Sequence, residues 1–254
     1  MLQSILSCFN PELFRGKAIL VSGGSSGIGL EIARGFARLG ARVVATGSSQ
    51  AKIDAANEDD RAAGIVFRVL DVRDNAAIEA FVETFDAIDV LVNAAGTGRP
   101  GQEFNEPVFL DVVDINMNGA MRLATAARSR LKARGGCIIN IASMLSYLVE
   151  AEFPAYTASK TGLLGLTRAL AHAFGPDGIR VNAIAPGYHK TELTKALWSD
   201  PVRSPKVVER SALKRWGTTE DLVGAALFLA CPAAGFITAA SLPVDGGYLV
   251  GNPL

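Results

Sequence analysis

Two side chains that could exchange a proton lie four residues apart in the stretch AYTASKTGLLGL (155–166), which is otherwise uncharged. On a helix, residues at this spacing share a face, so Tyr156 and Lys160 would point in the same direction. A phenol has a pKa near 10 and is a poor base at neutral pH, but a neighbouring ammonium lowers the pKa of an acid by about 1 to 3 units. The pair therefore predicts that Tyr156 is a general acid/base whose pKa is lowered by Lys160.

A serine 13 residues before this tyrosine could bind the same substrate oxygen. Ser143 ends the apolar run CIINIAS (137–143), so its hydroxyl would lie at the end of a strand. Taken alone, the spacing of Tyr156 and Lys160 also fits a half-buried tyrosine beside a solvated lysine. The added hydroxyl favours a catalytic group that binds and protonates an oxygen atom.

A glycine-rich turn, SGGSSGIG (22–29), stands near the beginning of the chain. Missing side chains at Gly23, Gly27 and Gly29 would let the backbone approach a pyrophosphate, and the helix that follows would offer free N–H groups. Leu30 stands where a mononucleotide P-loop needs a lysine, so the predicted ligand is a dinucleotide. An ordinary strand-to-helix turn is the alternative interpretation.

Short apolar runs alternate along the chain with longer helical patterns. The runs are continuous, which is typical of parallel strands covered by helices on both faces. The fold class is therefore predicted to be α/β, a doubly wound, mostly parallel seven-stranded Rossmann sheet in a single domain, 1–254. The predicted strands are 18–22, 42–46, 65–70, 89–95, 137–143, 180–186 and one within 237–251, and the predicted helices are 27–39, 74–86, 107–132, 155–175 and 219–230.

Ligands of such a fold bind beyond the carboxyl ends of the strands. Further candidate groups follow the third, fourth and sixth predicted strands, at Asp71-Val72, NAAG (93–96) and Pro186-Gly187. The Asp71 carboxylate could accept a hydrogen bond from an adenine amino group, and Gly96 would let backbone lie close to the ribose. A helix N-cap is an equally good interpretation of Asp71.

Composition argues against several classes of partner. The 254 residues include 25 basic and 25 acidic side chains, so no excess of positive charge is available for nucleic acid or an anionic membrane. Cys8, Cys137 and Cys231 are widely spaced, which fits reduced thiols better than a disulfide framework or a metal site. The N-terminus has no basic leader and no run of 18 apolar residues occurs, so a cytoplasmic location is expected.

With these motifs in order, the chain resembles the short-chain dehydrogenase/reductase family, of the compact single-domain type, over essentially its full length. The family pattern Thr-Gly-x-x-x-Gly-x-Gly appears as SGGSSGIG (22–29), and Asn-Asn-Ala-Gly appears as NAAG (93–96). Ser22 in place of threonine keeps a hydroxyl, whereas Ala94 in place of asparagine removes an amide. The helix asparagine of the family corresponds to Asn116 in DINMNG.

The resemblance implies hydride transfer between carbon 4 of a nicotinamide and a carbinol or ketone carbon. It makes Tyr156 the general acid/base, Ser143 the orienting donor, Lys160 the pKa-lowering and ribose-binding cation, and Asn116 the anchor of a proton-relay water. No metal is expected. The cofactor-binding residues are predicted to be Ser22, Gly23, Ser25, Ser26, Gly27, Ile28, Gly29, Ser48, Asp71, Val72, Asn93, Ala94, Gly96, Tyr156, Lys160, Pro186 and Gly187.

The choice of cofactor depends on the end of the second strand, TGSSQAK (46–52), where an acidic side chain would bind the adenosine 2′-hydroxyl. Gly47 stands near that position, Ser48 and Ser49 could donate to a 2′-phosphate, and Lys52 follows. The predicted cofactor is NAD(P)(H), with NADP(H) favoured over NAD(H). A turn that tolerates both is the alternative.

Two segments, 144–153 and 188–217, are expected to select the substrate, the second as a mobile lid. A lid cation, His189, Lys190 or Lys195, could hold a substrate carboxylate, although solvated charges are the simpler interpretation. The sequences of the motifs resemble those of the branch of gluconate and 2-dehydro-3-deoxygluconate dehydrogenases. This resemblance implies that the substrate is a secondary alcohol or ketone of a sugar or sugar acid. The alternatives are a 3-oxoacyl-carrier-protein-type ketoreductase and a dinucleotide-sensing regulator without catalysis.

The predicted helices over 107–132 and 155–175 carry apolar residues on more than one face. One face would cover the sheet, and the other would need a partner. In the family that the chain resembles, these helices pair across a two-fold axis, which implies a homodimer or homotetramer.

Overall fold

One parallel sheet organises the protein. In the computed structural model, which describes residues 1–251, seven strands pair in the order β3-β2-β1-β4-β5-β6-β7, all of them parallel. The predicted doubly wound class is therefore confirmed, while residues 252–254 of the predicted domain lie outside the described range. The strands are β1 (Ala18–Ser22), β2 (Arg42–Gly47), β3 (Ile65–Val69), β4 (Val90–Asn93), β5 (Cys137–Ile141), β6 (Arg180–Pro186) and β7 (Ser241–Val244).

Helices cover both faces of this sheet, because both faces of its strands are apolar. On β1, Ile19 and Val21 pack with α2 and α10, and Leu20, which points the other way, packs with α4, α6 and α7. The helices are α1 (Leu2–Leu6), α2 (Gly27–Arg38), α3 (Gln50–Asn57), α4 (Asn75–Glu83), α5 (Glu106–Val113), α6 (Gly119–Lys132), α7 (Pro154–Phe174), α8 (Lys195–Trp198), α9 (Arg203–Arg210) and α10 (Val223–Ala230). None of them, within the described residues, has the length and hydropathy needed to cross a membrane.

The segment predicted as one helix over 107–132 is two helices. A π-helical turn, Asp114–Asn118, separates α5 from α6. Single π turns inside helices commonly mark functional positions, because the extra residue redirects the side chains around it. Here the turn contains Asn116, which is 1% exposed and points inward.

Several element boundaries differ from the sequence-based expectation. The strands predicted over 89–95 and 137–143 end earlier, at Asn93 and Ile141, which leaves Gly96 and Ser143 in loops at the same edge of the sheet. The helices α1, α3, α8 and α9 were not predicted. α1 has five residues and buries Leu2 and Leu6, so its stability comes from tertiary packing and not from a periodic pattern of its own.

Candidate active site

A cavity of about 490 Å³ opens at the carboxyl edge of the sheet, with walls formed by the ends of β1 to β6 and the loops that follow them. It surrounds the point between β1 and β4 where the strand order reverses, which is where ligands bind in sheets of this kind. The predicted site residues that line it are Gly23, Ser25, Ser26, Gly27, Ile28, Gly29, Ser48, Asp71, Val72, Ala94, Gly96, Ser143, Tyr156, Lys160, Pro186 and Gly187.

The turn between β1 and α2 leaves no room for side chains at two of its glycines. Gly23 has a φ of +71°, and a Cβ there would lie 2.5 Å from the backbone of Ala95. A Cβ at Gly29 would lie 2.3 Å from the carbonyl oxygen of Gly23. The helix begins at Gly27, and Ser26 before it makes no side-chain cap bond, so the first N–H groups of α2 are left for a ligand. Such a helix end suits a pyrophosphate.

Helix α7 and the end of β5 bring the proton-handling groups together. The Lys160 Nζ lies 5.7 Å from the centroid of the Tyr156 ring and donates a 2.7 Å hydrogen bond to the carbonyl oxygen of Ile141. Ser143 Oγ accepts a 3.1 Å bond from the N–H of Leu145, which does not use its own hydroxyl proton. A hydroxyl and a phenol can therefore act on one substrate oxygen, with an amine beside the phenol.

Burial changes the pKa of both titratable groups. It raises the pKa of Tyr156; the nearby hydroxyl of Ser143 acts in the opposite direction, and the carboxylate of Glu103 raises this pKa further. Burial lowers the pKa of Lys160 to about 8. The predicted lowering of the Tyr156 pKa is therefore wrong for this structure, because desolvation of a phenolate outweighs the hydroxyl that favours it. The phenol stays protonated at neutral pH.

Comparison with known proteins identifies the family. The family model described as Enoyl-(Acyl carrier protein) reductase, which is of the short-chain dehydrogenase/reductase type, matches residues 23–249. The chain belongs to the short-chain dehydrogenase/reductase family. It is 37% identical to gluconate 5-dehydrogenase of Gluconobacter oxydans, with 95% of this chain and 98% of that protein covered. It is 38% identical to 2-dehydro-3-deoxy-D-gluconate 5-dehydrogenase of Dickeya dadantii, with 96% and 99% covered.

A solved structure supports the same assignment. The gluconate 5-dehydrogenase of Burkholderia cenocepacia, in complex with NADP and tartrate, superposes with a TM-score of 0.88 at 34% identity, with 96% of this chain and 100% of that chain covered. This short-chain dehydrogenase/reductase is therefore an NAD(P)-dependent oxidoreductase.

The cavity suits the dinucleotide of the family. Two glycines of the turn stand where a Cβ would collide with backbone, and the open N–H groups of α2 face the same space. At the end of β2, a Cβ at Gly47 would lie 2.5 Å from Ser25 Oγ, so an acidic side chain at this position would displace Ser25. Lys52 Nζ instead donates a 3.0 Å bond to Ser48 Oγ, and both residues line the cavity. Ser49 precedes α3 without a side-chain cap bond and lies outside the lining.

Three predicted site residues do not line the cavity. Ser22 and Asn93 are the last residues of β1 and β4, and both are buried in the sheet beneath the cavity. The Asn93 amide donates a 2.9 Å bond to Asn140 Oδ1, so it links neighbouring strands. Their predicted contact with the cofactor is not supported by this placement, because a side chain within a strand points into the helix layers.

Asn116 lies outside the cavity lining, beside Lys160, and its role as the anchor of a relay water stays a prediction. Its Oδ1 accepts from the N–H of Thr97 at 2.8 Å, and its Nδ2 donates to the carbonyl oxygen of Thr97 at 2.9 Å and to Ser159 Oγ at 3.0 Å. A Cβ built on Gly96 would lie 3.4 Å from both Asn116 Oδ1 and Lys160 Nζ. Asn116 thus clamps the loop after β4 beside the lysine.

Asp71 lines the cavity and is not a helix cap. The N-cap of α4 is Asp74, which accepts from the N–H of Ala77 at 2.9 Å. Asp71 instead pairs with Arg73 at 2.6 Å, and this guanidinium lowers the pKa of the carboxyl group. The helix-cap interpretation of Asp71 is therefore wrong, and an acceptor remains at this end of the cavity.

Arginines were the functional candidates missed in the sequence. Arg73 and Arg99 both line the cavity, and both bond Asp111, Arg73 at 2.8 Å. Arg99 lies in the loop after β4, on the side of Tyr156: a Cβ at the preceding Gly98 would lie 3.2 Å from Tyr156 Cδ2. The available signal for Arg99 in the sequence was its position three residues after the NAAG motif. Periodic patterns identify residues of helices and strands, so they do not single out a residue in a loop.

The side chains of segment 188–217 that were expected to bind substrate as cations do not fill that role in the structure. Lys190 Nζ lies 5.8 Å over the Trp198 ring, and Lys195 pairs with Glu192 at 3.2 Å; neither lysine lines the cavity. His189 does line it, but it is 3% exposed and burial lowers its pKa, so the ring is neutral at neutral pH. The segment still contributes Thr191, Glu192, Leu193 and Thr194 to the cavity wall.

The buried lysine predicts a pH dependence of stability. The pKa of Lys160 is about 8 in the folded protein and 10.5 when unperturbed, so between these values the unfolded chain binds a proton that the folded protein has lost. The contribution of Lys160 to the free energy of unfolding therefore increases as the pH rises from about 8 to 10.5. Urea denaturation of wild type and Lys160→Met across this range should show wild type gaining free energy of unfolding relative to the variant. A pH-independent difference would contradict the shift.

Proposed function

We propose that this protein interconverts a secondary alcohol and a ketone in a sugar acid, with NADP(H) as its cofactor. The supporting observation is that Ser143, Tyr156 and Lys160 share one cavity with the glycine turn and with Arg99. Ser143 and Tyr156 provide a donor and a proton for a substrate oxygen, and a guanidinium is the side chain best suited to bind a carboxylate.

The chain's own residues handle the substrate oxygen. The nicotinamide of a bound cofactor supplies or accepts the hydride. The Ser143 hydroxyl donates to the substrate oxygen, and the Tyr156 hydroxyl transfers its proton to that oxygen when a ketone is reduced. Because burial raises the pKa of Tyr156, the phenol holds its proton beforehand, as ketone reduction requires. When an alcohol is oxidised, the ammonium of Lys160 favours the phenolate that accepts the proton.

The cofactor would be held along the whole cavity. The N–H groups at the start of α2 would bind the pyrophosphate, and the Nζ protons of Lys160 not used by Ile141 would donate to ribose hydroxyls. Ser48 and Lys52 would bind a 2′-phosphate, in a turn that has no acidic side chain from 46 to 52. The related enzyme of Burkholderia cenocepacia, solved with NADP, supports the same choice.

The substrate carboxylate is assigned to Arg99. Of the four cations that line the cavity, Lys52 lies at the β2 end, Arg73 pairs with Asp71, and Lys160 is buried. Arg99 is half-exposed on the loop that packs against Tyr156, and its guanidinium pairs with Asp111. Tartrate, a dicarboxylate found in the Burkholderia cenocepacia complex, supports a carboxylate ligand for proteins of this branch.

Three further assignments belong to the same proposal. Segment 188–217 acts as the substrate lid, supported by its residues in the cavity wall. The protein forms a homodimer or homotetramer, supported by the exposed apolar side chains of Leu110 and Met121 on α5 and α6. It acts in the cytoplasm, supported by its free cysteines.

Removal of the Tyr156 hydroxyl should separate turnover from cofactor binding. We expect Tyr156→Phe to lower kcat by about 10² to 10⁴-fold, because the proton donor is lost, and to leave the Kd for NADPH near that of wild type. Turnover is measured with a panel of 5-keto and 2-keto sugar acids, and Kd by fluorescence titration. Tyr147→Phe is the control, because that hydroxyl bonds Ser241 outside the cavity.

The same panel distinguishes the alternative functions. A dinucleotide sensor would bind NADPH and turn over no substrate in wild type or variant. A carrier-protein ketoreductase would reduce a 3-oxoacyl thioester and none of the sugar acids. Either result would overturn the proposed substrate class.

Loss of the Arg99 charge should affect acidic substrates selectively. We expect Arg99→Met to raise KM for a sugar acid by about tenfold or more, since a charged hydrogen bond is removed, and to change KM for a neutral polyol little. Steady-state kinetics with a matched acid and polyol provide the measurement. Arg38→Met, an exposed arginine in the last turn of α2, controls for loss of one positive charge. Equal effects on both substrates would place the carboxylate elsewhere.

Cofactor preference should depend on Lys52. We expect Lys52→Met to weaken NADPH binding by about fivefold, because an exposed contact to the 2′-phosphate is lost, with NADH binding unchanged. Both dissociation constants are obtained by fluorescence titration. Lys132→Met, whose lysine pairs with Asp177 away from the cavity, is the control. A parallel loss of NADH affinity would contradict a 2′-phosphate contact.

A further inference from the structure

A carboxylate is fully buried beside the proposed acid/base, although glutamate is rarely buried without a partner. Glu103 is 0% exposed. Its Oε1 accepts from the N–H of Arg99 at 2.8 Å, and its Oε2 accepts from the N–H of Tyr156 at 2.8 Å. Both of its oxygens therefore accept hydrogen bonds from backbone N–H groups.

One of these hydrogen bonds completes the start of helix α7. Phe153, the N-cap residue, provides no side-chain acceptor, so the N–H groups of the first turn depend on other partners. Glu103 supplies one to Tyr156 from 53 residues away in the sequence. An anion at a helix N-terminus is stabilised by the helix dipole. The carboxylate thus holds the turn of α7 from which the phenol projects.

The other hydrogen bond holds the loop that carries Arg99. This loop, residues 97–103, is also tied to the chain just before α7 by a 3.0 Å bond from the N–H of Gly101 to the carbonyl oxygen of Glu152. A Cβ at Gly98 would lie 3.1 Å from the Phe153 ring, so loop and helix are in close contact. Since Asn116 clamps Thr97 at the loop's other end, the loop and the first turn of α7 are held as one unit.

We propose that Glu103 is a positioning residue: its carboxylate fixes the proton donor Tyr156 and the carboxylate-binding Arg99 in place relative to each other. This inference rests on the proposed function of those two residues. Glu103 itself does not line the cavity, so it acts through its neighbours and not on the substrate.

The charge of Glu103 adds an electrostatic effect that a purely structural residue would lack. The groups around the phenol are Lys160 on α7, Ser143 after β5, Arg99 on the loop and a neutral His189 across the cavity. Burial has the largest effect and raises the pKa of Tyr156, and the Ser143 hydroxyl lowers it. The negative charge of Glu103 raises this pKa further. Removal of the negative charge therefore lowers that pKa.

The decisive experiment replaces the charge while keeping the shape. In Glu103→Gln, the pH at which ketone reduction with NADPH falls off should move to lower pH, because a phenol of lower pKa loses its proton earlier. KM for the sugar acid should rise by about tenfold, because the Arg99 loop loses a charged anchor. Glu106→Gln removes an exposed negative charge in the first turn of α5, outside the cavity lining, and should change neither quantity. A wild-type KM for the sugar acid in Glu103→Gln would overturn the positioning role, and a wild-type pH profile would overturn the electrostatic effect.

A second measurement does not depend on turnover. Protein labelled with ¹³C at the tyrosine ζ carbon gives the pKa of Tyr156 directly by NMR, with its signal assigned by its loss in Tyr156→Phe. This pKa should be lower in Glu103→Gln than in wild type and Glu106→Gln. If wild type turns over no sugar acid, the proposed function fails, while this titration still decides the role of Glu103.

A shorter carboxylate separates position from charge. Glu103→Asp keeps the negative charge but cannot reach both N–H groups. KM for the sugar acid should therefore rise, while the pH at which ketone reduction falls off stays near that of wild type. If Glu103→Gln does not fold, this variant decides: a wild-type KM in Glu103→Asp would overturn the positioning role.

Discussion

A buried amine beside a half-buried phenol is the arrangement on which the rest of the site depends. Lys160 is 3% exposed, and the carbonyl oxygen of Ile141 is its hydrogen-bond acceptor among the described residues. Desolvation disfavours the charged form of either group, so it lowers the pKa of the lysine to about 8 and raises that of Tyr156. The phenol consequently keeps its proton at neutral pH, while the amine stands near its titration point.

The parallel sheet makes this burial possible. Strand β5 ends at Ile141, so its last carbonyl oxygen meets the lysine of α7, and Ser143 follows two residues later at the cavity wall. Because all strand pairs are parallel, the loops after β1 to β6 end at the same edge. The continuous apolar strands therefore form the core and also determine that the glycine turn and Tyr156 face the same cavity.

Polar side chains from distant parts of the chain then hold the most irregular wall, the loop after β4. Asn116 in the π-helical turn bonds Thr97, and Glu103 bonds the backbone at Arg99 and Tyr156. Asp111 on α5 bonds Arg99 from outside the loop and also bonds Arg73. A chain of ion pairs thus runs along the cavity from Asp71, after β3, to Arg99, beside Tyr156.

The amino-acid sequence by itself determined the fold class and the meeting of Tyr156 with Lys160, because strand continuity and the four-residue helical spacing are local properties of the chain. The glycine turn was readable for the same reason, since its backbone requirements fall on neighbouring residues. Tertiary structure alone decided the direction of the Tyr156 pKa shift, the burial of Ser22 and Asn93 beneath the cavity, and the places of Arg99 and Glu103. Desolvation and hydrogen bonds between residues as far apart as Glu103 and Tyr156 depend on which segments pack together, and no local spacing encodes that.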